Sequence, residues 1–346
     1  MKLKKIFVIL SVVIISAASI YGFIIYRQIF TENTNFDKTE LFVYVPTDAN
    51  FEQVVEIMKP YVKDIEKFKM VAEKKSYNTN VKSGKFLLKI GMNSNQIVNA
   101  LRQNVPVDLA FNNQERLEDF AGRIGSQIEA DSLSLLTAFK DEKFLKENGF
   151  TEENVLSMFI PNSYELFWNI NAIKFRDRMA KEYRKFWTPE RIAKATALNL
   201  TPLQVSALAS IVHKETVKRD ERPKVAGVYL NRLATGMKLE ADPTVIFAVK
   251  KKSGDFNQVI KRVLNKDLIT DSPYNTYKYE GLPPGPIAMP DITAIEAVLN
   301  PEKHNYIYFC ASVTNFGYHE FAVTPAQHEA NRQKYVAWVN KQGIKR

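Results

Sequence analysis

Ile6 to Tyr26 is a run of about twenty mostly apolar residues without a charged side chain, and it constrains the fold of this chain more than any other stretch. As a helix it matches the thickness of a bilayer's hydrocarbon core, whereas a globular core has no room to cover it on every side. Lys2, Lys4 and Lys5 precede it, so the positive-inside rule places the N-terminus in the cytoplasm and the remainder outside the membrane. A cleaved signal peptide is the rival reading, with Ser16-Ala17-Ala18 as a small-residue site. The apolar run continues past that site through Ile24 and Ile25, which favours a retained anchor. With 346 residues and 45% hydrophobic content, the chain can hold two domains with real cores.

Four bases of the anchor segment, Lys2, Lys4, Lys5 and Arg27, belong to the formal net charge of +10, so +6 is left for the remainder. That mild excess suits an anionic membrane and cell wall, although an ordinary solvated surface accounts for it as well. No clustered basic stripe or recognised nucleic-acid fold is present, so no nucleic-acid partner is expected. The lone Cys310 excludes an intramolecular disulfide and, within the apolar run Tyr306 to Ala311, reads as a buried strand residue. His213, His304, His319 and His328 lack any ligand spacing, and no glycine-rich phosphate loop occurs, so neither a metal nor a cofactor is expected. His213 points elsewhere on its helix than Glu215 and reads as a surface or packed histidine.

Beyond the anchor, Thr31 to Lys38 reads as a tether. Leu41 to Val45 alternates as a strand, and Asn50 to Val62 is amphipathic as a helix. Lys85 to Ile90 repeats the strand signal and Ser94 to Arg102 the helix signal, with Asn93 or Ser94 as cap. Leu117 to Ile128, Ser132 to Phe139 and Glu152 to Phe159 read as connecting helices, and Ala172 to Trp187 as a longer one. Near the C-terminus, Tyr306 to Ser312 pairs with Gly317 to Val323 as a hairpin. A helix capped by Thr324-Pro325 then runs to a stop near Gly343. No repeat or low-complexity tract appears. The expected class is α+β, with strands segregated from helices.

Thr201 is a good N-cap and Pro202 suits the first helical position, so a helix begins there and runs to about Glu215. Leu208, Ile211, Val212 and Glu215 share one face. A carboxyl that continues an apolar stripe at the negative end of a helix dipole is favoured in its protonated form. Alternatively Glu215 marks the solvated end and pairs with Lys214 or Lys218; spacing leaves both open. Asp242 is the best second acid, but Asp before Pro243 also begins a helix over Thr244 to Lys250, and capping by Asp242 is the favoured role. Glu221 and Glu240 lie in turn-like or surface contexts. Asn231 interrupts the apolar helix Val225 to Leu233, so its amide binds substrate or a neighbouring element. Ser272-Pro273-Tyr274-Asn275-Thr276-Tyr277 combines aromatic faces with amide and hydroxyl groups, as sugar recognition requires. Gly281 to Pro290 follows as a stiff loop.

The strings ASIVHKET, ERPKVAGVYLNRL, LEADPTVIFAV, SPYNTY and GLPPGPIAMP, in that order between Phe159 and the C-terminus, resemble the catalytic domain of the YceG-like endolytic murein transglycosylases, the MltG family. Phe159-Ile160-Pro161-Asn162-Ser163-Tyr164 resembles the family's Phe-Pro-Asp-Thr-Tyr segment. The chain departs from the pattern at His213, where the family commonly has a second glutamate, and at Met289-Pro290-Asp291, where it has Asn-Pro-Gly. The first departure leaves the catalytic position intact; the second touches the substrate groove.

The resemblance implies that Glu215, which precedes Thr216, is the catalytic acid. With it go Thr216, Asn231, Asp242, Thr244, Ser272, Tyr274, Asn275 and Thr276 as substrate-binding candidates. Beyond the cytoplasmic tip and transmembrane anchor read over 1–30, it also implies a region with a small LysM-like module and connecting helices over 31–155, and a mixed helix and sheet catalytic domain over 156–346. The implied partners are peptidoglycan glycan strands, near penicillin-binding synthases, at the cytoplasmic membrane. The implied reaction protonates the glycosidic oxygen and then lets the ionised acid deprotonate the sugar's 6-hydroxyl, leaving a 1,6-anhydro end. The residues themselves leave two rivals: a hydrolytic muramidase with Asp242 as second carboxylate, and a non-catalytic glycan-binding scaffold.

Overall fold

The computed structural model describes residues 2–341. Helix α1, Lys2–Phe30, contains the apolar span Lys5–Arg27, none of it buried within the protein, and this span is long and apolar enough to cross a membrane. The chain divides into two compact units, Met1–Leu109 with Gln127–Ala130 and Tyr164–Asn171, and Ala110–Ser126 with Asp131–Ser163 and Ala172–Arg346.

In the first unit β1, Glu40–Val45, pairs antiparallel with β2, Gly84–Lys89, placing Val43 opposite Phe86 and Leu41 opposite Leu88. The alternation puts Val43, Val45, Phe86 and Leu88 on one buried face. Against it pack α2, Phe51–Met58, and α3, Ile65–Lys74, through Val54, Met58, Phe68 and Val71, so the order is strand, helix, helix, strand. Asn50 and Gln53 form a capping box at the start of α2. The expected single helix to Val62 instead stops at Met58 and tightens into a 3₁₀ turn, Lys59–Tyr61, because Pro60 has no N–H and its ring crowds the preceding turn. Helix α3, capped by Asp64, was not legible because its lysines and glutamates dilute the stripe Ile65, Phe68, Val71 and Ala72. Helix α4, Ser94–Ala100, has Asn93 as its cap. A second two-stranded sheet joins β3, Pro106–Ala110, to β4, Ser163–Phe167.

The second unit begins with α5, Leu117–Gly125, α6, Ser132–Phe139, and α7, Glu142–Asn148, followed by α8, Ala172–Phe186, and α9, Pro189–Ala197. Phe120, Phe139, Phe159 and Phe175 form an aromatic core there, with Phe120 and Phe159 4.4 Å apart. Glu152 to Phe159 is not the expected α-helix. Only the 3₁₀ turn Val155–Met158 forms, all four residues are buried, and Pro161 disfavours helical backbone at Ile160.

At the centre lies α10, Pro202–Glu215, with Thr201 and Gln204 as a capping box. It carries more than an apolar stripe: every residue from Val205 to Val212 is buried, and the Ser206 and Ser210 hydroxyls donate to carbonyls of their own helix. Around it stand α11, Arg222–Ala234, α12, Asp242–Ser253, and α14, Ile292–Leu299, while the short α13, Asn265–Leu268, lies against α12. The hairpin of β5, Tyr308–Ala311, and β6, His319–Ala322, is the third two-stranded sheet, and α15, Pro325–Lys341, follows. The stop near Gly343 lies outside the described residues. Cys310 sits in β5 as expected but is half-buried rather than buried. The architecture is mixed α+β, with strands confined to separate pairs.

Candidate active site

Glu215 is the last residue of α10, and Thr216 beyond it turns extended at φ −137° and ψ 133°. The carboxyl thus stands where a helix buried on all sides reaches the surface. Tyr229 of α11, only 1% exposed, donates its hydroxyl to Glu215 Oε1 at 2.7 Å. Burial pushes the Glu215 carboxyl up to about 7. The Tyr229 hydrogen bond and the charge of His319 work against that rise, the charge of Asp242 adds to it, and Arg232 opposes it more weakly. Pairing with lysine is excluded by geometry: Lys214 binds Glu115 at 2.7 Å, and Lys218 lies over the Tyr318 ring. Tyr229 is itself held well above the ordinary phenol range by burial and by Glu215, so it remains a proton donor.

Asp242 does not cap its helix. It is the first residue of α12, the cap position is Ala241, and no side chain caps the turn. Its exposed carboxylate instead accepts the Tyr277 hydroxyl at 2.7 Å, because it faces the 272–277 loop and not the N–H groups of its own helix. Thr244 and Thr276, both buried, fasten that loop to α12: their hydroxyls are 2.8 Å apart, and Thr276 Oγ1 accepts the Ala241 N–H at 3.0 Å. Asn275, fully buried, donates to the carbonyls of Leu268 and Thr270. Tyr274 packs its ring against Phe247 at 4.7 Å, and Ser272 accepts the Tyr274 N–H. These four buried groups hold the loop in shape, and the loop presents Tyr277 to Asp242.

Of the other candidates, Thr216 is buried and its hydroxyl accepts the Lys218 N–H at 3.0 Å. Asn231 donates to the carbonyls of His304 and Tyr306 at 2.8 and 2.9 Å, tying α11 to the segment before β5. It also lines a cavity of about 930 Å³ together with Gln204, Leu230 and Gly281 to Pro284, which Glu215 does not line. The Gly281 to Pro290 loop straps α10: Ile287 donates to Ser210 Oγ, and a Cβ at Gly285 would run into the Glu153 backbone.

Sequence reasoning missed Tyr229 as the partner of Glu215 and His319 as a charge acting on it, because the first stands on α11 and the second on β6. Glu221, dismissed as a turn residue, is buried, and its carboxylate accepts both the backbone N–H and the Nδ1 of His319 at 2.6 and 2.9 Å. The two departures from the family pattern are neighbours in space. His213 Nδ1 lies 3.4 Å from Asp291, whose carboxylate takes two hydrogen bonds from the buried Arg222 at 2.7 and 2.8 Å. Arg222 also donates to the Thr216 carbonyl, so the cluster fixes the turn that follows Glu215.

Comparison with known proteins gives the family. The YceG-like family pattern matches residues 43–334. An endolytic murein transglycosylase of Bacillus subtilis (strain 168) is 41% identical over 134 residues, 39% of this chain and 35% of that protein. One from Streptococcus pneumoniae serotype 2 (strain D39 / NCTC 7466) is 26% identical over 367 aligned residues, 96% of this chain and 65% of the relative. The chain thus spans about a third and just under two thirds of these relatives. The crystal structure of a YceG-like protein from Listeria monocytogenes superposes with a TM-score of 0.57 at 26% identity, covering 85% of this chain and 99% of that one. With a family match that runs through both compact units and takes in Glu215 and every group around it, this chain belongs to the YceG-like family.

Proposed function

We propose that this protein is a membrane-anchored endolytic murein transglycosylase that cuts peptidoglycan glycan strands internally, with Glu215 as acid and then base. The observation that carries the proposal is the Glu215 carboxyl itself, raised to about 7 by burial and held by one neutral donor, in a family whose relatives are murein transglycosylases. A carboxyl poised there is protonated often enough to give a proton and basic enough to recover one. Tyr229 occupies Oε1, so the mobile proton rides on Oε2. From there it passes to the glycosidic oxygen as the bond to the anomeric carbon breaks. The ionised Glu215 then takes the proton of the sugar's 6-hydroxyl, whose oxygen closes onto the anomeric carbon. The bond count balances without water, and Glu215 returns to its starting state. Asp242, steadied by Tyr277, supplies negative charge toward the cationic transition state.

The strand, helix, helix, strand order of the first unit supports a LysM-like glycan-binding role for that region. The span Lys5–Arg27 with its lysine flank supports an anchor in the cytoplasmic membrane and a catalytic region outside it.

Mass analysis of products from purified glycan strands tests the function. Wild type yields 1,6-anhydro-muramyl ends, and Glu215→Gln loses at least a hundred- to ten-thousand-fold in turnover, the usual worth of general acid–base catalysis. Reducing ends from the wild type would establish the hydrolytic reading with Asp242. No cleavage by either protein, with strands still bound, would establish the scaffold.

A further inference from the structure

Val217 and Phe316 are large apolar side chains left in water beside the acid. Val217 is 82% exposed and follows Glu215 by two residues; Phe316 is 65% exposed and sits in the turn between β5 and β6. Two residues of extended chain span at most about 7 Å, so this surface begins next to the Glu215 backbone. A single exposed apolar residue is ordinary, but the neighbours of these two are in contact, which joins them in one surface.

The turn of the hairpin is fastened to the segment after Glu215 at successive points. Gly317, at φ +82°, lies so close to Lys218 that a Cβ there would stand 3.0 Å from Lys218 Cε. The Lys218 ammonium lies over the Tyr318 ring at 4.8 Å, the Tyr318 hydroxyl donates to Asp220 at 2.9 Å, and the Glu221 carboxylate accepts the His319 N–H at 2.6 Å. Further down the hairpin, Phe309 of β5 meets the Tyr229 ring edge to face at 5.8 Å, and Tyr229 donates to Glu215. The hairpin is thus bound both to the donor that holds the acid and to the segment that follows it. Helix α15 supports the tip: the half-buried Trp338 ring lies 5.6 Å from Phe316, and Tyr335 stacks on Trp338 at 6.3 Å.

We propose that Phe316, backed by Trp338, is a stacking platform that holds one pyranose ring of the glycan strand beside the acid. The C–H bonds on one face of a pyranose are weakly positive and pack on the negative face of an aromatic ring, while the hydroxyls at its rim need polar partners. Asn315, Arg219 and Asp220, all exposed, stand around the platform to meet them. A phenylalanine has two rotatable bonds to fix, and the fastened turn has already fixed its backbone, so little entropy is lost on binding. A bilayer is the rival occupant for an exposed aromatic face in a membrane-anchored chain. The Asp220 carboxylate and the Asn315 amide would be stripped of water there, whereas sugar hydroxyls hydrogen-bond to both. The proposal rests on the murein transglycosylase reading for its choice of a glycan, and binding is measured without turnover so that the two can fail separately.

The full chain in detergent micelles, carrying Glu215→Gln so that strands are bound and not cut, gives the first test. Adding Phe316→Ala should weaken the Kd for purified glycan strands about tenfold, and Phe316→Trp should restore it. The melting midpoint should not move, because a ring this exposed adds little to the core. With Glu215 in place, the loss should fall on KM and not on kcat, as for a contact equally strong in the ground and transition states. A Kd unchanged by Phe316→Ala overturns the proposal, whether the wild type makes anhydro ends, reducing ends or no cut at all. The second test places the full chain in vesicles with brominated acyl chains. Tryptophan quenching that disappears in Trp338→Phe would put this face in the bilayer and overturn the proposal as well.

Discussion

The hydroxyl of Tyr229 donates to Oε1 of Glu215 across 2.7 Å. Burial raises the proton affinity of both groups, so at neutral pH the phenol stays protonated while the carboxyl is divided between its two states. A helix buried all round ends on a group able to hold a proton, and the next helix supplies the donor that orients it.

A carboxyl whose folded value lies above its unfolded one binds its proton more tightly in the native state. Stability is therefore highest below the unfolded value of 4.5 and falls as pH rises from there through about 7. Glu215→Gln, neutral throughout, escapes that loss. We expect the variant to match wild type in chemical denaturation at pH 4 and to exceed it by on the order of 3 kcal/mol at pH 8. Equal stabilities at pH 8 would mean that the carboxyl is ordinarily solvated.

Asp291 carries three structural tasks at once: it pairs with Arg222, faces His213, and caps α14 through the Ala294 N–H at 2.8 Å. These bonds hold its carboxyl far below the usual range despite burial. Asp291→Ala leaves the Arg222 guanidinium, 4% exposed, without its countercharge. Loss of one partner of a buried pair costs about 3 to 5 kcal/mol, read as a lower denaturation midpoint. Turnover should fall with it, because Arg222 also holds the Thr216 carbonyl. A loss below about 1 kcal/mol would place the pair among surface ion pairs of small worth.

Asp242→Asn separates charge from folding. Asp242 is exposed and caps nothing, so the melting midpoint should stay within the roughly 0.5 kcal/mol typical of surface substitutions. Its charge raises the proton affinity of Glu215, so its removal should move the alkaline limb of kcat/KM to lower pH. A covalent glycosyl adduct trapped on Asp242 would instead make it a nucleophile and the enzyme a retaining hydrolase.

The topology is checked in spheroplasts. Added protease should digest the region beyond about Thr31 while the remaining span stays in the membrane fraction. Protection of that region, or a soluble form beginning near Ser19, would show that Lys5–Arg27 is not a retained anchor.

Wherever a local rule governed, residue order alone located the element. Thr201 and Pro202 mark the start of α10 to the residue, and Asn93, one of the two caps offered for α4, is the one used, because a cap is settled by a side chain three positions from its target. Twenty apolar residues announce α1 for the same reason, since thickness is a local length. Helix α3 and the 3₁₀ turn at Val155–Met158 escaped, one because its stripe is diluted by charge and the other because its burial comes from neighbours remote in sequence. Glu215 was legible as an acid on an apolar face, but its state was not: desolvation comes from the surrounding elements, and its donor stands 14 residues away on another helix. Asp242 shows the limit most plainly. Asp before Pro243 is a sound capping signal, yet the packing of the 272–277 loop gave its carboxylate the Tyr277 hydroxyl instead. Local chemistry decided which segments form and where they end, whereas proton affinities and partnerships were decided by what tertiary packing excluded from water and brought within hydrogen-bond reach.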